Sequence, residues 1–296
     1  MDLSIIIPSR NELFLNKTIE DILKKVTTNI QIIVNIDENW PDPIIDDKRV
    51  TYIHPGTPKG MRWGINSGVS IAKGKYIMKV DGHCMFAEGF DETLMTNTED
   101  NWLVIPRRYS LDAEKWERDM TRPIRDYHYL CFPEQGKEHD WGMHGVEWHA
   151  RDNERRDKPE FLIDDTPSWQ GSCWFANKEY FLNRVGQLDD RDETYSTFAQ
   201  EPEEIGLKYW LTDGAVKINK KTWYAHLHKG HRYGRMYKVD DHTVASHNWS
   251  ARHWMNDEEP GMTHTMEWYV NEKFPGMPTW PENWKQELID TGLITK

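Results

Sequence analysis

Three short apolar runs, Ile5-Ile6-Ile7, Ile30 to Ile36 and Tyr76 to Val80, constrain this chain more than any other feature. Each is short and almost wholly apolar, the pattern of a strand buried on both faces. Helical patterns separate them. Glu12 to Val26 places Leu13, Ile19, Ile22, Leu23 and Val26 on one face, and Gly60 to Ala72 reads as a second helix closed by Lys73-Gly74. Val50 to Ile53 adds a further short strand. Strand and helix alternating at this spacing predict an α/β fold with a mostly parallel, doubly wound sheet. Ligands of such sheets sit at the carboxyl ends of the strands, and Asp37 and Asp81 both fall on that edge.

The rest of the chain is less periodic. Residues 101 to 166 show no sustained pattern, and the charge run Arg151 to Lys158 reads as a solvated loop. Order resumes at Trp169 to Phe175, followed by a helix over Glu203 to Leu211 and strand-like Ala215 to Ile218 and Thr222 to Ala225. The tail from Thr243 is rich in Trp, Pro and Met. The expected organisation is therefore a main domain over 1–242, with a nucleotide-binding half (1–100) and an acceptor half (101–242), and a small Trp-rich appendage over 243–296.

With 37 Lys+Arg against 49 Asp+Glu, the chain carries a formal charge of −12, which disfavours nonspecific nucleic-acid binding. No apolar run approaches the ~18 residues of a membrane span, and the first residues lack the basic and apolar regions of a signal peptide, so no membrane partner is expected. Cys84, Cys131 and Cys173 are odd in number and far apart, which points to a reducing cytoplasm rather than a disulfide framework. The oligomeric state is not legible.

Asp81-Gly82-His83 follows the Tyr76–Val80 strand directly. In extended backbone, positions i and i+2 share a face. A carboxylate and an imidazole on one face suit a divalent metal with positions left open for phosphate oxygens. His226, after a strand-like stretch, is a third ligand candidate, with His228 and His231 as competitors.

At these residues the sequence resembles a family. Ser4 to Glu12 is similar to the first strand and nucleotide loop of family-2-like, GT-A-type nucleotide-sugar glycosyltransferases. Gly68 to His83 resembles their strand leading into the Asp-x-Asp motif. The Asp-Gly-His-Cys variant is similar to the Asp-Ser-His form of polypeptide N-acetylgalactosaminyltransferases, as are Gly171 to Asp189 and Glu201 to Trp210, while Gly82 and Pro202 depart from that pattern. The resemblance covers roughly residues 1 to 235. It extends to compact phage enzymes that glycosylate hydroxymethylated pyrimidines in DNA, without the anchor, stem and lectin domain of the Golgi enzymes.

The resemblance implies a GT-A fold and a metal-dependent glycosyltransferase using a UDP-sugar, with Mn2+ or Mg2+ held by Asp81, His83 and His226. It also implies donor contacts from Pro8, Arg10, Glu12, Asp37, Lys59, Arg62, Asp81 and Gly82, with Trp169 and Gln170 facing the sugar. Glu201, Glu203 and Glu204 are the catalytic candidates. An inverting enzyme needs one of them as base and a retaining enzyme does not; the Asp-x-His resemblance points to retention, and at least one of the three is expected to be only a helix-start charge. Lys229, His231, Arg232 and Arg235, with Lys238, form a basic cluster interleaved with Tyr233 and Tyr237. It reads either as a polyanion track or as a loop closing over the donor diphosphate. The acceptor expected from the phage likeness is hydroxymethylcytosine in DNA; protein Ser/Thr or glycan hydroxyls are the alternatives. A noncatalytic nucleotide-sugar-binding module is a further reading. A His-rich metallohydrolase is disfavoured because the sequence has no H-E-x-x-H motif and no tight His/Asp pair besides Asp81-His83.

Overall fold

A computed structural model describes residues 1–134, 142–191, 193–195, 198–234 and 241–295, apart from the side chains of His231, Asp241 and His242. In chain order, the first third comprises β1 (Leu3–Ser9), α1 (Leu15–Lys25), β2 (Ile30–Ile36), β3 (Val50–Ile53), α2 (Gly60–Ile71), β4 (Tyr76–Val80), β5 (Cys84–Phe86) and α3 (Phe90–Thr96). The middle third holds β6 (Trp102–Asp112), β7 (Glu117–Arg118), β8 (His128–Leu130), β9 (Gly145–Glu147), α4 (His149–Arg155), β10 (Ile163–Asp165), β11 (Cys173–Asn177) and α5 (Lys178–Arg184). The remainder contributes α6 (Glu201–Trp210), β12 (Ala215–His226), α7 (Gly230–Tyr233), α8 (Asp241–Met255), α9 (Met266–Trp268) and α10 (Trp284–Asp290).

The main sheet runs β10-β12-β6-β11-β4-β1-β2-β3, with β5 paired to β12 and β7 to β6. β4, β1, β2 and β3 are mutually parallel, as the apolar runs require. β1 and β2 are buried almost throughout. The other half is mixed. β6 and β12 run parallel, but β11 lies antiparallel between β4 and β6. No local pattern in Cys173–Asn177 encodes that direction, because a strand buried on both faces looks alike either way up.

Two glycines let the layers close. A Cβ on Gly68 of α2 would fall 2.6 Å from Ile6, and one on Gly74 would fall 2.6 Å from the backbone N of Ser4. α1 begins at Leu15 rather than Glu12, leaving Leu13 exposed, since Asn11 adopts positive φ and residues 12–14 form a turn.

The charge run expected as a loop is largely helical. α4 is fixed from outside: Asp152 is buried and accepts hydrogen bonds from the backbone N–H groups of Asp126 and Tyr127, and Arg151 packs over the rings of Tyr127 and Trp148. The tail is helical too. Trp254, Met266, Tyr269 and Trp284 join one apolar cluster with Trp169, Trp210 and Ile65. Among the described residues, no helix is long and apolar enough to cross a membrane.

Candidate metal and donor site

β4 delivers Asp81 to the carboxyl edge of the sheet, and β12 delivers His226 to the same place. β5 pairs antiparallel with the end of β12, opposing Cys84 to His226 and so bringing that imidazole beside His83. One ligand atom from each of Asp81, His83 and His226 lies within 4.8 Å of the others. His226 Nε2 is 3.2 Å from Asp81 Oδ2, and His83 Nε2 is 3.9 Å from the same oxygen. His228, the competitor, points away, with Nε2 at 3.0 Å from Arg108 Nη1.

The set fits a divalent ion. Both ring nitrogens of His226 are buried, Nδ1 has no hydrogen-bond partner, and Nε2 meets only the Asp81 carboxylate, at 3.2 Å and without hydrogen-bond alignment, an arrangement that a metal ion between them would complete. Burial drives the His226 imidazole down to about 3 despite the nearby Asp81, so it is neutral and able to donate a lone pair. Burial acts to raise the Asp81 carboxyl, but the Lys79 ammonium, His226 and His83 together outweigh it and hold the group well below the usual carboxylate range. One carboxylate and two imidazoles match Mn2+ somewhat better than Mg2+. His83 Nδ1 lies 3.0 Å from Glu12 Oε2, which fixes the tautomer with Nδ1 protonated and Nε2 free. Glu12 also accepts from Lys229 Nζ at 2.5 Å. Burial would raise Glu12, yet His83 and Lys229 together bring it to about 2. Gly82 is needed for this approach, because a Cβ there would sit 2.7 Å from Glu12 Cγ.

Lys79 was not foreseen as a site residue. Its buried Nζ contacts Asp81 Oδ1 at 2.9 Å, the Gly171 carbonyl at 2.7 Å and Glu201 Oε2 at 3.2 Å. A lysine inside the apolar run Tyr-Ile-Met-Lys-Val was the available signal, since a buried ammonium must be paired. The three candidate carboxylates of α6 separate at this point. Glu201 is tied to the triad through Lys79, and its other oxygen accepts from Trp174 Nε1 at 2.7 Å. Glu203 accepts from the Gly145 backbone N–H at 2.8 Å, and burial pushes it up to about 7. Glu204 is bound by Arg62, by Lys208 at 2.9 Å and by the Asp189 N–H at 3.1 Å.

The other donor-side residues fall in two groups. Pro8 is the penultimate residue of β1, and Arg10 binds Asp37, Nε to Oδ2 at 2.8 Å. Asp37 also accepts from the backbone N–H groups of Lys59 (2.5 Å) and Gly60 (3.0 Å), anchoring the start of α2 at the edge of the sheet, while the Lys59 side chain is exposed. Arg62 lies elsewhere: it is buried against Glu204, the carbonyls of Asp189 and Ala199, and the Tyr195 ring. Trp169 is buried, its ring against Gly206, and its Nε1 has no hydrogen-bond partner, like the adjacent Gln170 Oε1.

In the basic cluster, Lys229 is engaged by Glu12 and Arg232 by Glu114. Arg235, Tyr237 and Lys238 lie outside the described residues, as does the side chain of His231.

A doubly wound sheet carrying Asp-x-His at the end of its fourth strand, with a histidine returned to it by a late strand, defines a GT-A-type fold. The chain belongs to glycosyl transferase family 2, whose sequence profile matches residues 4–156. It is 25% identical over 174 residues to a putative polypeptide N-acetylgalactosaminyltransferase 13 of Drosophila melanogaster, covering 57% of this chain and 28% of that protein. It is 31% identical over 121 residues to the glycosyltransferase GlyG of Streptococcus pneumoniae, covering 37% and 40% respectively. It is 24% identical over 230 residues to human polypeptide N-acetylgalactosaminyltransferase 3, covering 73% and 35%. The chain thus spans well under half the length of these curated relatives. A crystal structure of GalNAc-T7 with UDP, GalNAc and Mn2+ matches 99% of this chain and 55% of its own, with a TM-score of 0.66 and 14% identity, which establishes the shared fold.

Proposed function

We propose that this chain transfers a sugar from a UDP-sugar to an acceptor hydroxyl, and that it does so with a divalent cation, Mn2+ in preference to Mg2+. The observation that carries this reading is the convergence of Asp81, His83 and the buried His226, their ligand atoms within 4.8 Å of one another, at the strand end of a family-2 sheet. The UDP and Mn2+ of the similarly folded GalNAc-T7 structure support the choice of donor and metal.

When bound, the metal would neutralise charge gathering on the departing diphosphate. The chain's own groups have separate tasks. Glu12 orients His83, and Lys79 helps keep Asp81 ionised and joins it to Glu201. Transfer breaks the anomeric bond to the diphosphate oxygen and forms a bond to the acceptor oxygen, whose proton must leave. In an inverting reaction Glu201, the one of the three carboxylates linked to the triad, through Lys79, would take that proton; a retaining reaction needs no such base. Glu204 is committed to Arg62 and Lys208, and Glu203 to Gly145.

The acceptor we favour is the hydroxymethyl group of hydroxymethylcytosine in phage DNA, modified in the cytoplasm. Ordinary bases have no aliphatic hydroxyl, and the three buried, unpaired thiols suit a reducing compartment. A serine or threonine hydroxyl of a polypeptide is the second reading, favoured by the names of the relatives. The test is mass spectrometry of hydroxymethylcytosine DNA, unmodified DNA and Ser/Thr peptides, each incubated with UDP-sugars and Mn2+. A sugar added only to modified DNA is expected. A glycosylated peptide with unaltered DNA would replace the acceptor. UDP-sugar binding with no hydrolysis or transfer under any condition would reduce the chain to a binding module.

A further inference from the structure

Arg108 lies on β6 opposite Tyr224, two positions before the pairing of Ser110 with His226. Its side chain is only 4% exposed. Nη1 is 3.0 Å from His228 Nε2, Nη2 is 3.4 Å from His128 Nε2 and 3.6 Å from Glu147 Oε1, and Nε is buried without a hydrogen-bond partner. Glu147 Oε1 is already taken by Arg125 Nε at 2.6 Å. One carboxylate oxygen therefore serves two guanidiniums. Arg122, nearer the surface, pairs with Asp119 at 3.2 Å. Asp126 is held by Arg107, and Asp152 by backbone N–H groups.

Three guanidiniums (Arg108, Arg122, Arg125) thus meet two carboxylates (Glu147, Asp119), a local surplus of one positive charge in a chain whose formal charge is −12. A guanidinium buried without a full counter-charge is destabilising unless something supplies the anion. Here the rim is open to a ligand: Arg125 is 24% and Arg122 60% exposed at the side chain, and His228 is exposed. The His226 ring, which belongs to the triad, lies 5.3 Å from the His228 ring, centroid to centroid. Lys229 and Arg232, the cations most evident in the sequence, are already neutralised by Glu12 and Glu114.

We propose that Arg122, Arg125 and His228, backed by Arg108, form a subsite for a backbone phosphate of a nucleic-acid acceptor beside the Asp81–His83–His226 triad. The assignment rests on the glycosyltransferase reading above. Donors arriving from two chain segments, 122–125 and 228, suit a tetrahedral phosphate, which accepts in several directions, better than a planar carboxylate. An acidic peptide is the competing ligand.

The test uses the whole chain and a short single-stranded oligonucleotide containing one hydroxymethylcytosine. Binding is followed by fluorescence anisotropy across a salt series. A second oligonucleotide carries neutral methylphosphonates on either side of the modified base. Arg125→Gln and Arg122→Gln should each weaken binding of the first by roughly tenfold, the loss expected for a charge-assisted hydrogen bond. Each should also lower the slope of log affinity against log salt by about 0.7. The neutral oligonucleotide should bind the wild-type chain at least as weakly as the first binds Arg125→Gln, and Arg125→Gln should weaken it no further. Arg108→Met tests the buried partner but risks unfolding, so the rim variants decide. An unchanged salt slope in both rim variants overturns the subsite. So does tight binding of an acidic peptide with none of the oligonucleotide. Because binding is read without turnover, absence of UDP-sugar hydrolysis in the wild-type chain strikes the glycosyltransferase reading separately.

Discussion

Glu12 and His83 are joined by a 3.0 Å hydrogen bond from Nδ1 to Oε2, which turns the Nε2 lone pair of His83 toward Asp81. A carboxylate behind a metal-binding imidazole fixes its tautomer and raises its basicity, and losing such a partner typically weakens metal affinity ~10- to 100-fold. Glu12→Ala should therefore weaken Mn2+ binding within that range, read by the loss of the free Mn2+ electron-resonance signal on titration. Glu12→Gln, which can still accept at its oxygen, should recover part of it. Equal affinity in both variants and wild type would remove Glu12 from the site.

The triad itself should be indispensable. Asp81→Ala, His83→Ala and His226→Ala should each abolish Mn2+-supported UDP binding in calorimetry, and a chelator should abolish donor hydrolysis by the wild-type chain. Full hydrolysis in the chelator would sink the metal assignment.

The buried Lys79 bridges two carboxylates, the partly exposed Asp81 at 2.9 Å and the buried Glu201 at 3.2 Å. Deleting one partner of a buried ion pair costs about 3–5 kcal/mol, because the remaining charge is stranded. Lys79→Met should lose that much in urea unfolding. Combining it with Glu201→Gln should restore part of the loss, since one stranded charge is removed.

Glu203 predicts a pH effect with a definite sign. Burial raises its folded pKa to about 7 from an ordinary 4.5. Between those values the folded chain binds more protons than the unfolded chain, so stability falls as pH rises. The contribution is complete below pH 4.5 and lost by about pH 7, on the order of 3 kcal/mol in all. Denaturation midpoints across that window should decline less steeply in Glu203→Gln. An identical decline in both chains would show that Glu203 is not responsible.

Acceptor use should respond differently to two sets of cations. Arg232→Ala removes a cation already neutralised by Glu114 at the surface, and should change oligonucleotide affinity less than twofold. Arg125→Gln should change it several times more. The reverse order, measured on the same oligonucleotide, would return the polyanion track to the 229–238 segment.

The sequence by itself determined the parallel half of the sheet and one edge of the site. Ile5 to Ile7, Ile30 to Ile36 and Tyr76 to Val80 are apolar on both faces, so they had to be central strands, and their ends had to bring Ser9, Asp37 and Asp81 to one edge. Asp81 and His83 were legible because their relation is local. Only the tertiary structure decided the rest, because it depends on pairings between distant segments. The antiparallel ladder of β5 and β12 selects His226 over His228, and the burial of α6 divides Glu201, Glu203 and Glu204 among three different partners. Charge shows the same limit. Lys229 and Arg232 look available in a linear reading, yet Glu12 and Glu114 fold back onto them, whereas Arg108, in the middle of a strand, shares its one carboxylate partner with Arg125. Composition counts charges; which of them remain uncompensated depends on which side chains the fold brings within a few ångströms.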